Sequence, residues 1–175
     1  MTTLRSAMLV ACAALGACRA TIPPAGVPAL PGSADSIVLE RTRCYGTCPA
    51  YRLSLAATGR VAFTSHYPDE GRSETGRTSP DAFRRLLREA EAAGFFVLPD
   101  TIANDPALCA SPRTDSPTVT VAVFAAAGAK QVVHYRGCGA PDDPQATRRL
   151  AALRELEARI DSTAGSGRWV RQPVR

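Results

Sequence analysis

The feature that most constrains the fold is a pattern that occurs twice along the chain. Segments with alternating apolar residues are followed each time by an amphipathic segment with a helix-starting signal. Alternation with a period of two residues predicts strands that bury one face. The predicted strands are 36–43, 50–57 and 60–67 in the first half, and 117–124 and 130–136 in the second.

Both predicted helices begin with a capping side chain followed by proline, Ser79-Pro80 in the first and Asp143-Pro144 in the second. The side-chain oxygen can cap the first turn, and proline is tolerated there because its missing N–H has no intrahelical partner. Gly94 is expected to end the first helix. Apolar residues recur at helical spacing in both segments: Phe83, Leu86, Leu87 and Ala90, then Leu150, Leu153, Leu156 and Ile160.

These elements predict an α+β domain over residues 36–170, with an antiparallel sheet of about five strands and two helices on one face. Each helix has a single apolar stripe, so packing both stripes against one sheet face buries them economically. Polar segments at 69–78 and 99–116 are predicted to be loops.

The N-terminus has the layout of an export signal. Arg5 precedes an apolar run over residues 7–17, which is shorter than the roughly 20 residues that cross a bilayer. Leu15-Gly16-Ala17-Cys18 resembles the signal of bacterial lipoproteins, which implies removal of residues 1–17 and a lipid on Cys18. An ordinary secretory signal cleaved nearby is the alternative.

The segment after Cys18 is rich in proline, so residues 18–35 are predicted to form an extended tether, and residues 171–175 a disordered tail. Arg19 follows the lipidated cysteine. If the host sorts as enterobacteria do, this residue implies the outer membrane, with the domain facing the periplasm. The net charge is +5, but the arginines are scattered among acidic residues. We therefore expect the membrane and an envelope protein as partners, and no nucleic acid.

Cys12 leaves with the signal and Cys18 takes the lipid, so four cysteines remain for other roles: Cys44, Cys48, Cys109 and Cys138. An even number in an exported domain predicts disulfides, with three alternative connectivities. We favour Cys44–Cys48 and Cys109–Cys138. The second would close a loop of about 30 residues and stabilise the fold by roughly 3–4 kcal/mol.

The segment from Cys44 to Pro49 is the most unusual local motif, and three hypotheses apply to it. A disulfide would make a rigid, exposed contact loop of Tyr45, Gly46, Thr47 and Pro49. Cys-x3-Cys-Pro also resembles the copper loop of SCO-type chaperones, which implies copper or zinc with His66 or His134 as a further ligand. An exposed dithiol with redox activity is the third. We favour the structural hypothesis and expect no cofactor.

Motifs for catalysis are absent from the sequence, which contains no nucleophile elbow, phosphate loop or zinc-protease helix. Asp115 precedes a strand, where capping of a turn is the ordinary role. A hydrolase built on Asp115 and a histidine is the least favoured alternative. We expect a non-enzymatic binding or structural domain, with a metal or thiol-redox site at Cys44 and Cys48 as the alternative.

Several motifs together resemble a family of exported bacterial domains known only as a domain of unknown function. The resemblance spans most of residues 37–169, and Cys109 and Cys138 look like additions to it. An added pair implies a disulfide between them, and no activity is implied. The resembling residues are Leu39-Glu40-Arg41-Thr42, Cys44-Tyr45-Gly46-Thr47-Cys48-Pro49, Tyr51, Gly59, Gly94-Phe95-Phe96, Leu98, Thr114-Asp115, Tyr135, Leu156-Glu157, Ile160-Asp161 and Arg168-Trp169.

Overall fold

A computed structural model describes residues 34–126 and 128–172. These residues form a six-stranded antiparallel sheet and two helices, which confirms the predicted α+β class with one strand more than expected. The strands are β1 (Ala34–Arg41), β2 (Ala50–Ala56), β3 (Arg60–Tyr67), β4 (Ser73–Arg77), β5 (Thr118–Ala125) and β6 (Gly128–Tyr135). The helices are α1 (Pro80–Ala92) and α2 (Pro144–Ala164).

The order of strands across the sheet is β4-β3-β2-β1-β5-β6, so the first strand lies in the middle. Leu39 of β1 pairs with Leu53 of β2 on one side and with Val121 of β5 on the other. Val132 and Phe63 extend this row to the neighbouring strands. Because side chains alternate between the faces of a strand, this row defines the inner, apolar face that the helices cover.

Both helices start at the predicted caps. Ser79 Oγ accepts a hydrogen bond from the Ala82 N–H at 3.1 Å. The Asp143 carboxylate accepts from the N–H groups of Gln145 and Ala146, which lowers the pKa of this carboxyl. Gly94, with a φ of 70°, follows the last residues of α1 as predicted, since the left-handed conformation favours glycine.

The predicted loop over 69–78 is wrong in part, because it contains strand β4 at the sheet edge. Its residues Ser-Glu-Thr-Gly-Arg show no apolar alternation, since the inward position 76 is a glycine under the ring of Trp169. The predicted tether also ends earlier than expected, because Ala34 and Asp35 already belong to β1. The predicted loop over 99–116 contains the short 3-10 helix Ile102–Asn104.

Several predictions concern residues outside the described part of the chain. They are the signal at 1–17, the lipid on Cys18, the tether before Ala34 and the last three residues of the predicted tail. Arg171, in the described part of that tail, has its Nε 3.4 Å from Asp69 Oδ2. Among the described helices, none combines the length and the apolar character needed to cross a membrane.

Candidate functional site

The inner face of the sheet changes from apolar to polar in its last row. In this row His134, Val119, Arg41, Tyr51 and Ser65 lie side by side on five neighbouring strands. They occupy the same phase as the core residues of each strand, so they point toward the helices rather than toward solvent. Four of them, all but Val119, carry polar or charged groups that need partners when buried.

Helix α2 supplies a carboxylate partner for the centre of this row. Asp161 Oδ2 accepts hydrogen bonds from Arg41 Nη2 at 2.6 Å and from Arg41 Nε at 3.1 Å. Its other oxygen accepts from the Tyr51 hydroxyl at 2.7 Å and from Ser166 Oγ at 2.8 Å. Arg41 Nε also lies 3.0 Å from the Tyr51 hydroxyl oxygen. The four side chains therefore form a closed network in which each orients the others.

Glu157 lies one helical turn before Asp161 and serves the other end of the row. Its Oε1 is 2.6 Å from His134 Nδ1, and its Oε2 accepts from Arg136 Nη1 at 2.7 Å. Glu157 and His134 are each only 1% exposed. The tautomer with the proton on Nδ1 lets His134 donate to the carboxylate. Its Nε2 has no hydrogen-bond partner among the described residues.

Burial and charge shift the protonation of the network in consistent directions. Burial raises the pKa of the Tyr51 phenol, and the nearby Asp161 carboxylate raises it further. Burial alone would lower the pKa of Arg41, but Asp161, Tyr51 and Glu157 raise it overall. The network thus holds a neutral phenol and a permanently charged guanidinium at neutral pH.

A pocket of about 440 Å³ opens above this network and is called the turn pocket here. Arg41 and Tyr51 line this pocket and also donate hydrogen bonds to Asp161. Asp161 therefore fixes the position of both side chains in the pocket. Its volume lies in the lower part of the roughly 300–1,000 Å³ range of ligand pockets. The full lining is Arg41, Thr42, Thr47, Cys48, Pro49, Tyr51, Pro117, Val119, Val170 and Gln172.

The Cys44–Pro49 turn forms one wall of this pocket and is closed by the Cys44–Cys48 disulfide. Gly46 has a φ of 148°, a conformation that L side chains rarely adopt. The Tyr45 N–H donates to the Asp115 carbonyl at 3.1 Å, which ties the turn to the neighbouring loop. The Tyr45 side chain nevertheless is 90% exposed. The disulfide and this hydrogen bond therefore hold the turn in place, while the aromatic ring of Tyr45 projects into solvent.

The two histidines proposed as metal ligands are not brought together. His66 is exposed on the outer face of β3, whereas His134 is buried on the inner face of β6. Four strand spacings separate these strands, about 19 Å across the sheet. The described residues contain no cluster of three His, Cys, Asp or Glu side chains suited to a metal ion. Cys44 and Cys48 are bonded to each other, so neither is a thiolate ligand in this state.

Asp115 lies in the turn before β5 with a φ of 66°. Its carboxylate accepts from Thr114 Oγ1 at 3.0 Å and its carbonyl accepts from Tyr45. The turn pocket includes neither Asp115 nor a histidine. The geometry near Asp115 thus agrees with the turn role that its position in the sequence indicates.

A family model described as a domain of unknown function, DUF6438, matches residues 35–162. The chain belongs to the DUF6438 family. The matched segment contains the sheet, except for Ala34, and most of α2, including Glu157 and Asp161. No protein of curated function matches the sequence. Ser166 and Trp169 lie beyond the match, although Ser166 donates to Asp161 in the DUF6438 domain.

The sequence motifs include Arg41, Tyr51, Glu157 and Asp161, but their roles in this network were not predicted. Their phase is the signal that could have identified them. Arg41 follows Ile37 and Leu39 at the same two-residue spacing, and Glu157 occupies a core position between Leu153 and Ile160. A charged residue at a core position requires a buried partner, so the sequence contains the elements of this network.

Proposed function

We propose that this chain is a lipid-anchored envelope protein whose DUF6438 domain binds a protein partner and has no catalytic role. The observation that carries the proposal is Tyr45, 90% exposed on a turn that a disulfide closes. Exposed aromatic side chains on rigid mounts are effective anchors, because a large contact area is gained with little loss of conformational freedom.

The turn pocket supports recognition beside this anchor. Tyrosine and arginine are enriched among the residues that dominate binding energy. Arg41 lines the pocket, and Tyr45 belongs to the turn whose residues Thr47, Cys48 and Pro49 line it too. Arg41 and Tyr51 are held by Asp161, so a partner would meet a guanidinium and a phenol in fixed positions rather than mobile side chains. Pro49, Pro117 and Val119 add apolar contact area.

The compartment is part of the same proposal. Two disulfides suit an oxidising environment, which is where an exported domain works. Attachment through Cys18 would place the domain at the membrane surface, and the sequence before it agrees with lipoprotein processing. Labelling with radioactive palmitate should mark the wild-type chain and not Cys18→Ser, and the variant should leave the membrane fraction.

Photo-crosslinking in the native envelope tests the binding surface. The full-length chain carries Tyr45→benzoylphenylalanine, and a matched variant carries the same group at Val97, which is 72% exposed. Val97 precedes Leu98, whose carbonyl accepts from Lys130 near the start of β6, at the other end of the sheet from the turn. We expect one discrete adduct from position 45 and not from position 97. Loss of this adduct in Cys44→Ser/Cys48→Ser would show that the closed turn is required. The same adducts from both positions, or none from position 45, would overturn the proposal.

Thiol mapping by mass spectrometry separates this proposal from the metal or redox alternative. The mature protein is alkylated before and after reduction, with and without a chelator. Binding by a permanent turn predicts labelling of Cys44 and Cys48 only after reduction. Labelling without reduction, or only after chelation, would instead make the turn a chemical site and favour copper, zinc or thiol-redox chemistry.

A further inference from the structure

A second pocket, of about 300 Å³, lies where β6 connects to α2. Three arginines line it, Arg113, Arg136 and Arg154, and we call it the arginine pocket. None of its lining residues is acidic. It shares no lining residue with the turn pocket, so it is a separate site at the same end of the sheet.

The backbone builds this pocket by clamping two segments together. The Cys109–Cys138 disulfide joins them, the Arg113 N–H donates to the Gly137 carbonyl at 2.8 Å, and the Gly139 N–H donates to the Ala110 carbonyl at 2.8 Å. A side chain at Gly137 would overlap the Arg113 carbonyl oxygen, so only glycine permits this approach. The base of Arg113 is therefore fixed beside Arg136.

Helix α2 completes the pocket from the other side. Thr147, Leu150 and Arg154 are spaced three and four residues apart, so they share one face of the helix. Leu150 is buried and anchors this face against the core. Arg154 is exposed and lines the same pocket as Arg113 and Arg136.

The positive charge of the arginine pocket is only partly compensated. Arg136 pairs with Glu157, whose two oxygens are already shared between Arg136 and His134. Arg113 and Arg154 have no ion-pair partner among the described residues. Arg41 and Arg72, by contrast, each pair with a carboxylate. Two uncompensated guanidinium groups at one pocket favour a ligand with two negative charges.

We propose that the arginine pocket binds the phosphate group of a small ligand. A phosphate monoester carries nearly two negative charges at pH 7, and its oxygens match the paired N–H groups of arginine. A carboxylate would supply a single charge. The volume leaves room for an organic group beside the phosphate. The same phosphate monoester is present on a soluble phosphate ester and on phosphatidic acid, a phospholipid that ends in an unsubstituted phosphate.

Calorimetry with the mature full-length chain tests the site. Inorganic phosphate and glycerol phosphate are titrated at low salt, with acetate as a singly charged comparison. Arg113→Gln and Arg154→Gln should each weaken phosphate binding by at least about tenfold, because each removes charge-assisted hydrogen bonds. Both side chains are exposed, so the fold should persist, which circular dichroism checks.

Arg149→Gln is the matched control, since Arg149 is an exposed arginine of α2 that does not line the pocket. Its phosphate affinity should stay within twofold of wild type. Equal weakening by the control, acetate binding as tight as phosphate, or no phosphate binding would overturn the proposal. Vesicles of phosphatidylcholine with added phosphatidic acid, compared with phosphatidylcholine alone, then identify the source. Binding that depends on Arg113 and Arg154 would assign the phosphate to a lipid, and binding to glycerol phosphate alone would assign it to a soluble ester.

Discussion

At the scale of residues, the domain has charged side chains at positions where the alternating pattern of its strands predicts apolar ones. Arg41, Tyr51 and His134 occupy inward-facing positions of their strands. Their hydrogen-bond partners are Glu157 and Asp161, which lie on one face of α2. Removing one partner of such a buried network leaves the others desolvated and unpaired, which costs more than the hydrogen bond itself contributes. The network therefore acts as a unit.

Tyr51→Phe should lower the free energy of unfolding by about 1.5–3 kcal/mol at pH 7, because the hydroxyl bonds to two charged groups. The pKa of Tyr51 is raised in the fold, so its contribution is complete below the unfolded value of about 10. It is lost as the pH rises from that value through the folded one. The gap between wild type and variant should therefore narrow above pH 10 in urea unfolding.

Tyr45→Phe is the control for this measurement, because Tyr45 is exposed and its hydroxyl makes no hydrogen bond within the described residues. It should leave the unfolding free energy within about 0.5 kcal/mol of wild type. Equal effects of the two substitutions at pH 7 would show that Tyr51 is not held by the network.

Which network residues could be found from the sequence depends on phase and not on type. His66 can be placed on the outer face from the sequence, because it is out of phase with Val61 and Phe63. The same argument applied to Val132 would have placed His134 inside. The partners were less accessible, since the register that aligns Arg41 with Tyr51 and brings Asp161 above them depends on packing between distant segments.

At the scale of elements, capping and cross-linking fix where helices begin and how loops are held. The two Ser/Asp-Pro starts were predictable because capping is a local interaction. Strand β4 was not, because its stability comes from pairing with β3 and from contact with a residue nearly a hundred positions later. Local signals thus identified the helices better than the edge of the sheet.

The charge of the α2 cap gives a prediction about acid stability. Backbone N–H groups lower the pKa of Asp143, so its charge stabilises the fold above the unfolded value of about 3.9. This contribution is lost as the pH falls through the folded value. Asn can still cap the helix, so the melting temperature of Asp143→Asn should fall less between pH 5 and pH 3 than that of wild type. Asp142→Asn, the matched control, should retain the wild-type slope; a slope as flat as that of Asp143→Asn would contradict the cap.

The two disulfides should differ in their effect on stability, since their loops span 29 and 4 residues. On the chain-entropy estimate, Cys109→Ser/Cys138→Ser lowers the unfolding free energy by about 3–4 kcal/mol, and Cys44→Ser/Cys48→Ser by about 2 kcal/mol. Urea unfolding under non-reducing conditions measures both. A larger loss from the Cys44–Cys48 pair would show that the short turn supports the fold as well as the surface.

At the scale of the whole molecule, the segment after α2 folds back onto the sheet of the first half. Trp169, in the segment after α2, packs its ring 5.6 Å from that of Phe63 on β3. Its carbonyl accepts from Arg72, just before β4. This contact closes the edge of the sheet at β4, a strand that the sequence pattern did not predict. It also joins the first half of the fold to the segment after α2.

Gly76→Ala tests this closure. A methyl group at position 76 would lie 2.9 Å from Trp169 Cη2, which is too close without movement of the ring. We expect loss of about 1–3 kcal/mol in unfolding free energy and a red shift of tryptophan emission. Trp169 is the single tryptophan of the chain, so the emission reports this site alone. Gly167→Ala, whose added methyl group would meet open space, should change neither quantity, and a similar shift in it would argue against the contact.

The direction of β1 has a consequence for how the molecule is presented. The strand runs from Ala34 to Arg41, about 23 Å at the usual rise per residue. Whatever precedes Ala34 therefore joins the domain at one pole, whereas the Cys44–Pro49 turn and both pockets lie at the opposite pole. If the chain is anchored through Cys18, as proposed, its recognition surfaces would face away from the membrane. A partner in the periplasm could then dock without displacing lipid.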